Sequence, residues 1–133
     1  MSDEGTARRR RAQGVKADGL NASLGALDPQ LAEWADGFIF DEVWGRDGLS
    51  QDERMLVAIT ALASHKNGGQ LRNYLHGALQ AGIDPQKIHE ALVMLNVYCG
   101  FPVAIQALVV WKDVIDIERR RGTKVELRDN ACA

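Results

Sequence analysis

Two side chains capable of proton chemistry stand two residues apart, at Tyr74 and His76. Imidazole exchanges a proton near neutral pH, so His76 is the leading candidate for a general acid or base. A hydrogen-bonded structural histidine at the edge of the core is the competing reading. The Tyr74 phenol could donate a hydrogen bond to a substrate oxygen, or serve only as packing. On a straight helix, residues two apart point about 200° away from each other. One chain therefore cannot aim both rings into a single pocket without distortion, although in a ring of subunits they could line pockets at different contacts. Arg54 carries a guanidinium able to clamp a carboxylate through two parallel bonds. A buried ion pair with Glu42 or Glu90 is its structural alternative. Trp44 reads as a packing residue ahead of a substrate platform, and Cys99 as a small core residue ahead of a nucleophile. His65 and His89 look like surface residues. The chain's three histidines are dispersed, with no i, i+4 pair, so no zinc site is expected.

The elements that must position these residues are helices. Asp28-Pro29 is a helix start, with Asp capping free amides and Pro in a first-turn position that needs no amide hydrogen. The helix it opens carries Leu31, Trp34, Ala35, Phe38 and Ile39 at helical spacing and extends to about Val43. Ser50-Gln51-Asp52-Glu53 is a capping box that opens a helix ending near Ser64. Lys66 to Gly69 is a break, followed by a helix over 70–81 that stops at Gly82. Asp84-Pro85 repeats the start signal for a helix to about Tyr98. Gly100-Phe101-Pro102 is a corner, and a last helix runs to about Arg121, with cations in its final turn. A short helix is expected near Arg8 to Lys16, a loop at 21–27, a disordered start over 1–7 and a flexible tail over 123–133. No strand pattern is visible, so the expected class is all-α, with about six helices in one domain over 8–122.

Ala91 to Cys99 and Val103 to Trp111 are apolar nearly all the way round a helix. Such helices are buried on every side or span a membrane. A span needs roughly 20 consecutive apolar residues, and Gly100 and Pro102 cut this run short. Burial in protein is the better reading, and a small domain cannot surround both segments alone. Partner copies of the chain are expected to help.

Net charge is −2, with 46% hydrophobic and 26% charged residues. There is no global basic field for nucleic acid or an anionic membrane, and neither is an expected partner. Arg8 to Arg11 is a local exception, read as a solvated or subunit-contacting face. Cys99 and Cys132 form no C-x-x-C pair and no metal spacing, as in a reducing cytoplasm. The start, MSDEGTARRRRAQG, has no apolar secretory core.

As a set, several short motifs resemble the carboxymuconolactone decarboxylase family, the cofactor-free branch of the alkylhydroperoxidase D-like superfamily. They are Val43-Trp44-Gly45-Arg46 before Gly48-Leu49-Ser50, Arg54 with Leu56-Val57, and Ala78-Leu79 with Gly82. Ile88 and Glu90 follow, then Tyr98-Cys99-Gly100-Phe101-Pro102 with Ala104 and Ala107. The resemblance spans roughly residues 8–120. It implies a helical subunit that assembles into trimers or hexamers, with pockets near subunit contacts. It implies no cofactor and no metal. The implied reaction is loss of CO2 from a small cyclic carboxylate or lactone, such as 4-carboxymuconolactone. Electrons flow into the conjugated carbonyl and carbon is then protonated. Arg54 matches a family position, as does Glu42, a possible proton acceptor. Trp44 and Cys99 fall within matching motifs beside the substrate.

The departures are specific. Family members place a His eight residues before the glycine that ends its helix, and Tyr74 stands there. His76 stands where the decarboxylase branch often has Arg. In the peroxidase branch the two thiols would fall on Asn67 and Gln70, and the proton-relaying Glu near Met55. Without a low-pKa thiolate, thiol peroxidase activity is not expected. The alternatives to decarboxylation are an isomerase or cyclase in the same fold, or a non-catalytic hexamer that binds a ligand or scaffolds another enzyme.

Overall fold

The computed structural model describes residues 3–128, so Cys132 lies outside the described residues. The described chain is all-helical: α1 (Asp3–Gln13), α2 (Ala17–Leu27), α3 (Pro29–Trp34), α4 (Gln51–Ser64), α5 (Gly68–Gln80), α6 (Pro85–Val93), α7 (Leu95–Tyr98) and α8 (Phe101–Arg120). A 3₁₀ turn at Gly14–Lys16 joins α1 to α2, and α3 continues as a π-helix over Ala35–Val43.

The caps close as their chemistry dictates. Asp28 Oδ1 accepts from the Gln30 amide at 2.9 Å, and Asp84 Oδ1 from the Gln86 amide at 2.9 Å. The Ser50 and Glu53 side chains each accept from the other's backbone amide, at 3.1 and 2.8 Å. Gly82, Gly100 and Gly122 take positive φ at the ends of their segments, a conformation that is strained for a side-chain-bearing residue.

Three expectations are corrected. The first helix begins at Asp3, five residues ahead of Arg8, because Asp3 and Glu4 suit a helix N-terminus and Arg10 and Arg11 its C-terminus. Residues 21–27 are helical rather than loop, since α2 packs against α3. Residues 123–128 are strapped down. Val125 is buried, its carbonyl accepts from Arg119 Nη2 at 2.8 Å, and the Arg128 amide donates to Gln86 Oε1 at 2.8 Å.

The core gathers Met55 and Ile59 of α4, Leu71 and Leu75 of α5, Ile88 and Leu92 of α6, and Trp111 and Val114 of α8. Helix α1 has little apolar surface of its own. It crosses α5 so closely that a Cβ at Gly77 would lie 1.9 Å from the Ala12 carbonyl oxygen, and only glycine permits that approach. The apolar segments split their faces. Leu92, Leu95, Val103, Ala104, Ala107 and Trp111 enter the core, while Met94, Val97, Tyr98, Phe101, Ile105 and Val109 stay exposed, Val97 and Tyr98 each at 77%. One chain therefore leaves a wide apolar face open. No helix among the described residues is long and apolar enough to cross a membrane.

Candidate active site

The π-helix sets the position of Trp44. Its amide donates to the Ile39 carbonyl, five residues back, at 2.9 Å, which is the wide-turn pattern often found at functional sites. That leaves the Phe40 carbonyl free of Trp44, and Arg8 Nη1 donates to it at 3.2 Å. The Trp44 ring then rests on buried Phe40, centroids 5.1 Å apart and planes tilted by 43°, close to the geometry aromatic pairs prefer.

Beyond Trp44, the capping box launches α4 so that Arg54 faces the same space. Val43, Trp44, Leu49, Arg54, Val57 and Ala58 line one hollow of about 250 Å³. Arg54 is its sole charged lining residue. Arg54 Nη2 donates to the Arg46 carbonyl at 2.7 Å, which fixes the guanidinium. Its Nε is shut off from water and meets no acceptor, so the group keeps unmet donor capacity, a costly state for a buried polar atom. The expected pairing of Arg54 with Glu42 or Glu90 is replaced by this carbonyl contact. Glu42 is exposed and outside the lining, and Glu90 accepts from Gln86 Nε2 at 3.1 Å.

The two proton-active rings go elsewhere. His76, expected to act as acid or base, is 4% exposed and its Nδ1 lies 2.6 Å from Glu118 Oε2. Glu118 is itself buried and also accepts from Gln80 Nε2 at 3.1 Å and Thr123 Oγ1 at 2.8 Å. Burial pushes the Glu118 carboxyl up, but the hydrogen bonds from His76, Thr123 and Gln80 outweigh it and hold the carboxyl below its ordinary range. An ionised Glu118 makes His76 Nδ1 the donor of this bond. Tyr74 is partly buried beside Gln13. Desolvation raises its phenol above the usual range, with Gln13 pulling slightly the other way, so it stays a neutral donor. His76 and Tyr74 thus contact different neighbours, Glu118 on α8 and Gln13 on α1, as their spacing predicts.

The other candidates are placed plainly. Cys99 is a free, half-buried thiol packed on the core at the turn between α7 and α8. His65 is exposed, whereas His89 is half-buried and accepts at Nδ1 from Trp111 Nε1 at 3.2 Å, which corrects its expected exposure. Asn67, at a peroxidase-branch thiol position, caps α5 by accepting from the Gln70 amide at 3.2 Å, and Met55 is buried core. Among the described residues no group of His, Cys, Asp or Glu could hold a metal ion. Sequence reasoning missed Glu118. Its one signal was an acid inside the apolar register of the last helix, beside Val114 and Ile115.

Comparison with known proteins identifies the family. The profile of the carboxymuconolactone decarboxylase family matches residues 29–113. That span holds Glu42, Trp44, Arg54, Tyr74, His76 and Cys99, but neither α1 nor Glu118. The chain is 33% identical over 86 residues to nitrosuccinic acid decarboxylase npaB of Metarhizium robertsii, covering 65% of this chain and 57% of that protein. It is 29% identical over 92 residues to 4-carboxymuconolactone decarboxylase of Acinetobacter baylyi, covering 69% of each. With the profile spanning more than half of its length, the chain belongs to the carboxymuconolactone decarboxylase family.

Proposed function

We propose that this protein is a cofactor-independent carboxy-lyase. It removes CO2 from a small acid whose scissile carbon adjoins an electron acceptor, and it binds that acid in the hollow between Trp44 and Arg54. The observation that carries the reading is the pairing of a fixed guanidinium with an indole wall around one apolar space, inside the family-matched stretch. The relatives named for nitrosuccinic acid and 4-carboxymuconolactone share one chemical feature. Each substrate can delocalise the electron pair left by CO2, onto a nitro group or a conjugated lactone carbonyl. Such a substrate is its own electron sink. The protein need only strip water from the acid and hold developing negative charge against a donor. No acid lines the hollow, so the proton that replaces CO2 comes from water at its open side.

Incubation with nitrosuccinate, 4-carboxymuconolactone, related lactones and monocarboxylates whose acid adjoins a nitro or conjugated carbonyl group, followed by CO2 release, tests the proposal. Turnover is expected to fall by about 10²-fold in Arg54→Gln, the scale for losing one charge-stabilising donor. No CO2 from any of the panel, with the fold intact, would overturn it. That outcome would support the second reading, a non-catalytic ligand binder, which is favoured by the distance in role between the hollow and the Glu118-bound His76.

We infer also that further copies of the chain cover the face of Met94, Val97, Tyr98, Phe101, Ile105 and Val109, giving a trimer or hexamer. An open apolar face of this extent is what an intersubunit contact requires. The free Cys99 suits a reducing cytoplasm.

A further inference from the structure

The charge inventory of the hollow points to a narrower class of substrate than the family's two named relatives suggest. Nitrosuccinate and 4-carboxymuconolactone each carry two carboxylates. Here the lining offers one cation, Arg54, against Val43, Trp44, Leu49, Val57 and Ala58. We propose that the hollow selects a flat monocarboxylate with an apolar body, its acid on Arg54 and its face against the Trp44 indole. This rests on the reading of the hollow as the substrate site.

One guanidinium satisfies one carboxylate through its planar fork. A second carboxylate on a compact body has two places to go. It can lie against Val43, Leu49 and Val57, where it loses part of its water and gains no donor. Or it can swing the body outward, giving up the indole. Both outcomes cost affinity, and a single acid avoids both. Trp44 favours flatness for a separate reason. Its ring is held by Phe40 and by the wide turn before it, so it presents a fixed face rather than a movable side chain. The volume, about 250 Å³, equals the liquid volume of roughly eight waters, enough for one ring and its acid.

Ligand-observed NMR titrations of the full chain separate the contributions with four probes. Benzoate carries one acid on a flat ring. Phthalate adds a second acid to the same ring. Cyclohexanecarboxylate keeps one acid and loses flatness, and succinate has two acids and no ring. Benzoate is expected to bind at least ten-fold more tightly than phthalate or succinate, and several-fold more tightly than cyclohexanecarboxylate. Arg54→Gln is expected to lose benzoate by ten-fold or more. Trp44→Leu is expected to erase the gap between benzoate and cyclohexanecarboxylate. Val57→Trp, a change at a 58% exposed position that leaves the core untouched, is expected to block benzoate by filling the hollow, and it guards against a folding defect in the other two. Phthalate or succinate binding as tightly as benzoate would overturn the proposal. So would benzoate binding unchanged in both Arg54→Gln and Val57→Trp. These titrations need no turnover. Selective benzoate binding without CO2 release from any acid would sink the carboxy-lyase reading alone. Efficient CO2 release from nitrosuccinate with weak benzoate binding would sink this inference alone.

Discussion

Helices α1 and α8 both pack on α5, yet they are held by opposite means. Helix α1 is fastened by charge. Arg8 lies 3.6 Å from Asp41, Arg9 bonds Asp36 at 2.5 Å and Asp18 at 3.2 Å, Arg10 reaches Asp18 at 3.0 Å, and Arg11 reaches Asp52 at 3.3 Å. The arginine run, expected to be a solvated or subunit-contacting face, is also an intramolecular lash onto acids of three other segments, with Arg10 and Arg11 exposed. Helix α8 is fastened by apolar burial through Val103, Ala104, Ala107, Trp111, Val114 and Ile115, and it has apolar surface left over. Ion pairs depend on partners at fixed positions, so they use up their capacity within one chain. Apolar area has no such valence. The charged end of the molecule is paired largely within the chain, with Arg9 Nη1 left over, and the apolar end is open to more protein.

The largest effect should come from the charged side. Arg9 and Asp36 are both buried, and removing one partner strands the other. Arg9→Met should cost about 3–5 kcal/mol in urea unfolding, whereas the double change Arg9→Met with Asp36→Leu should recover most of it. If the double variant stays as weak as the single, the lash stabilises by something other than pairing. On the apolar side, Leu92→Ala should cost about 2–5 kcal/mol by the same measurement, through lost burial and a residual cavity. A cost well under this would mean that the core at α6 collapses readily and that the two ends are less alike in strength than drawn.

The third effect sits where the two fastenings meet. Glu118 lies on α8, but its partners are His76, Gln80, Thr123 and, at 3.6 Å, Arg121. Its folded carboxyl titrates below the ordinary range. A depressed folded value means stability that is fully present above the unfolded carboxylate value and is lost as pH falls through the folded one. Glu118→Gln should therefore flatten the acid limb of the stability profile and cost about 1–3 kcal/mol at neutral pH. An unchanged acid limb would place the acid sensitivity elsewhere. The smallest effect on a single subunit's stability, and the sharpest test of the comparison, is Val97→Lys. At an exposed position it should change subunit stability by less than about 0.5 kcal/mol. It should nonetheless lower the mass seen by sedimentation equilibrium. A wild-type chain that sediments as a single subunit would break the contrast between a finished and an unfinished end.

The parts of the fold that were legible are those whose chemistry closes within a few residues. Asp28-Pro29, Ser50 with Glu53, Asp84-Pro85 and Gly82 each complete a cap locally, and the helix ends they set were placed to within a residue or two, whereas the helix expected from Pro85 to Tyr98 is broken at Met94 into α6 and α7. The helix at 17–27 was not, because Gly19, Asn21, Ser23 and Gly25 each weaken helix propensity, and its packing on α3 is a tertiary fact. The strap at Val125 was missed for the same reason. In the site, Trp44 and Arg54 were named from the sequence and do line one hollow. The environment of His76 could not be read, since Glu118 lies 42 residues away and nothing in the local pattern joins them. Arg9 and Asp36, 27 residues apart, were equally hidden. The π-turn was invisible because it changes the winding of the helix over 35–43 without changing its length enough to move its caps.

That one loosened coil works as a length standard. Deleting Gly37 without a change of winding would turn Phe40 and Trp44 together by about 100° around the axis relative to α3. Trp44 would turn away from Arg54, and Arg8 would lose the Phe40 carbonyl that it holds. Insertions or deletions between Trp34 and Trp44 should therefore be far less tolerated than changes of residue type there, even though between those two residues Val43 alone lines the hollow.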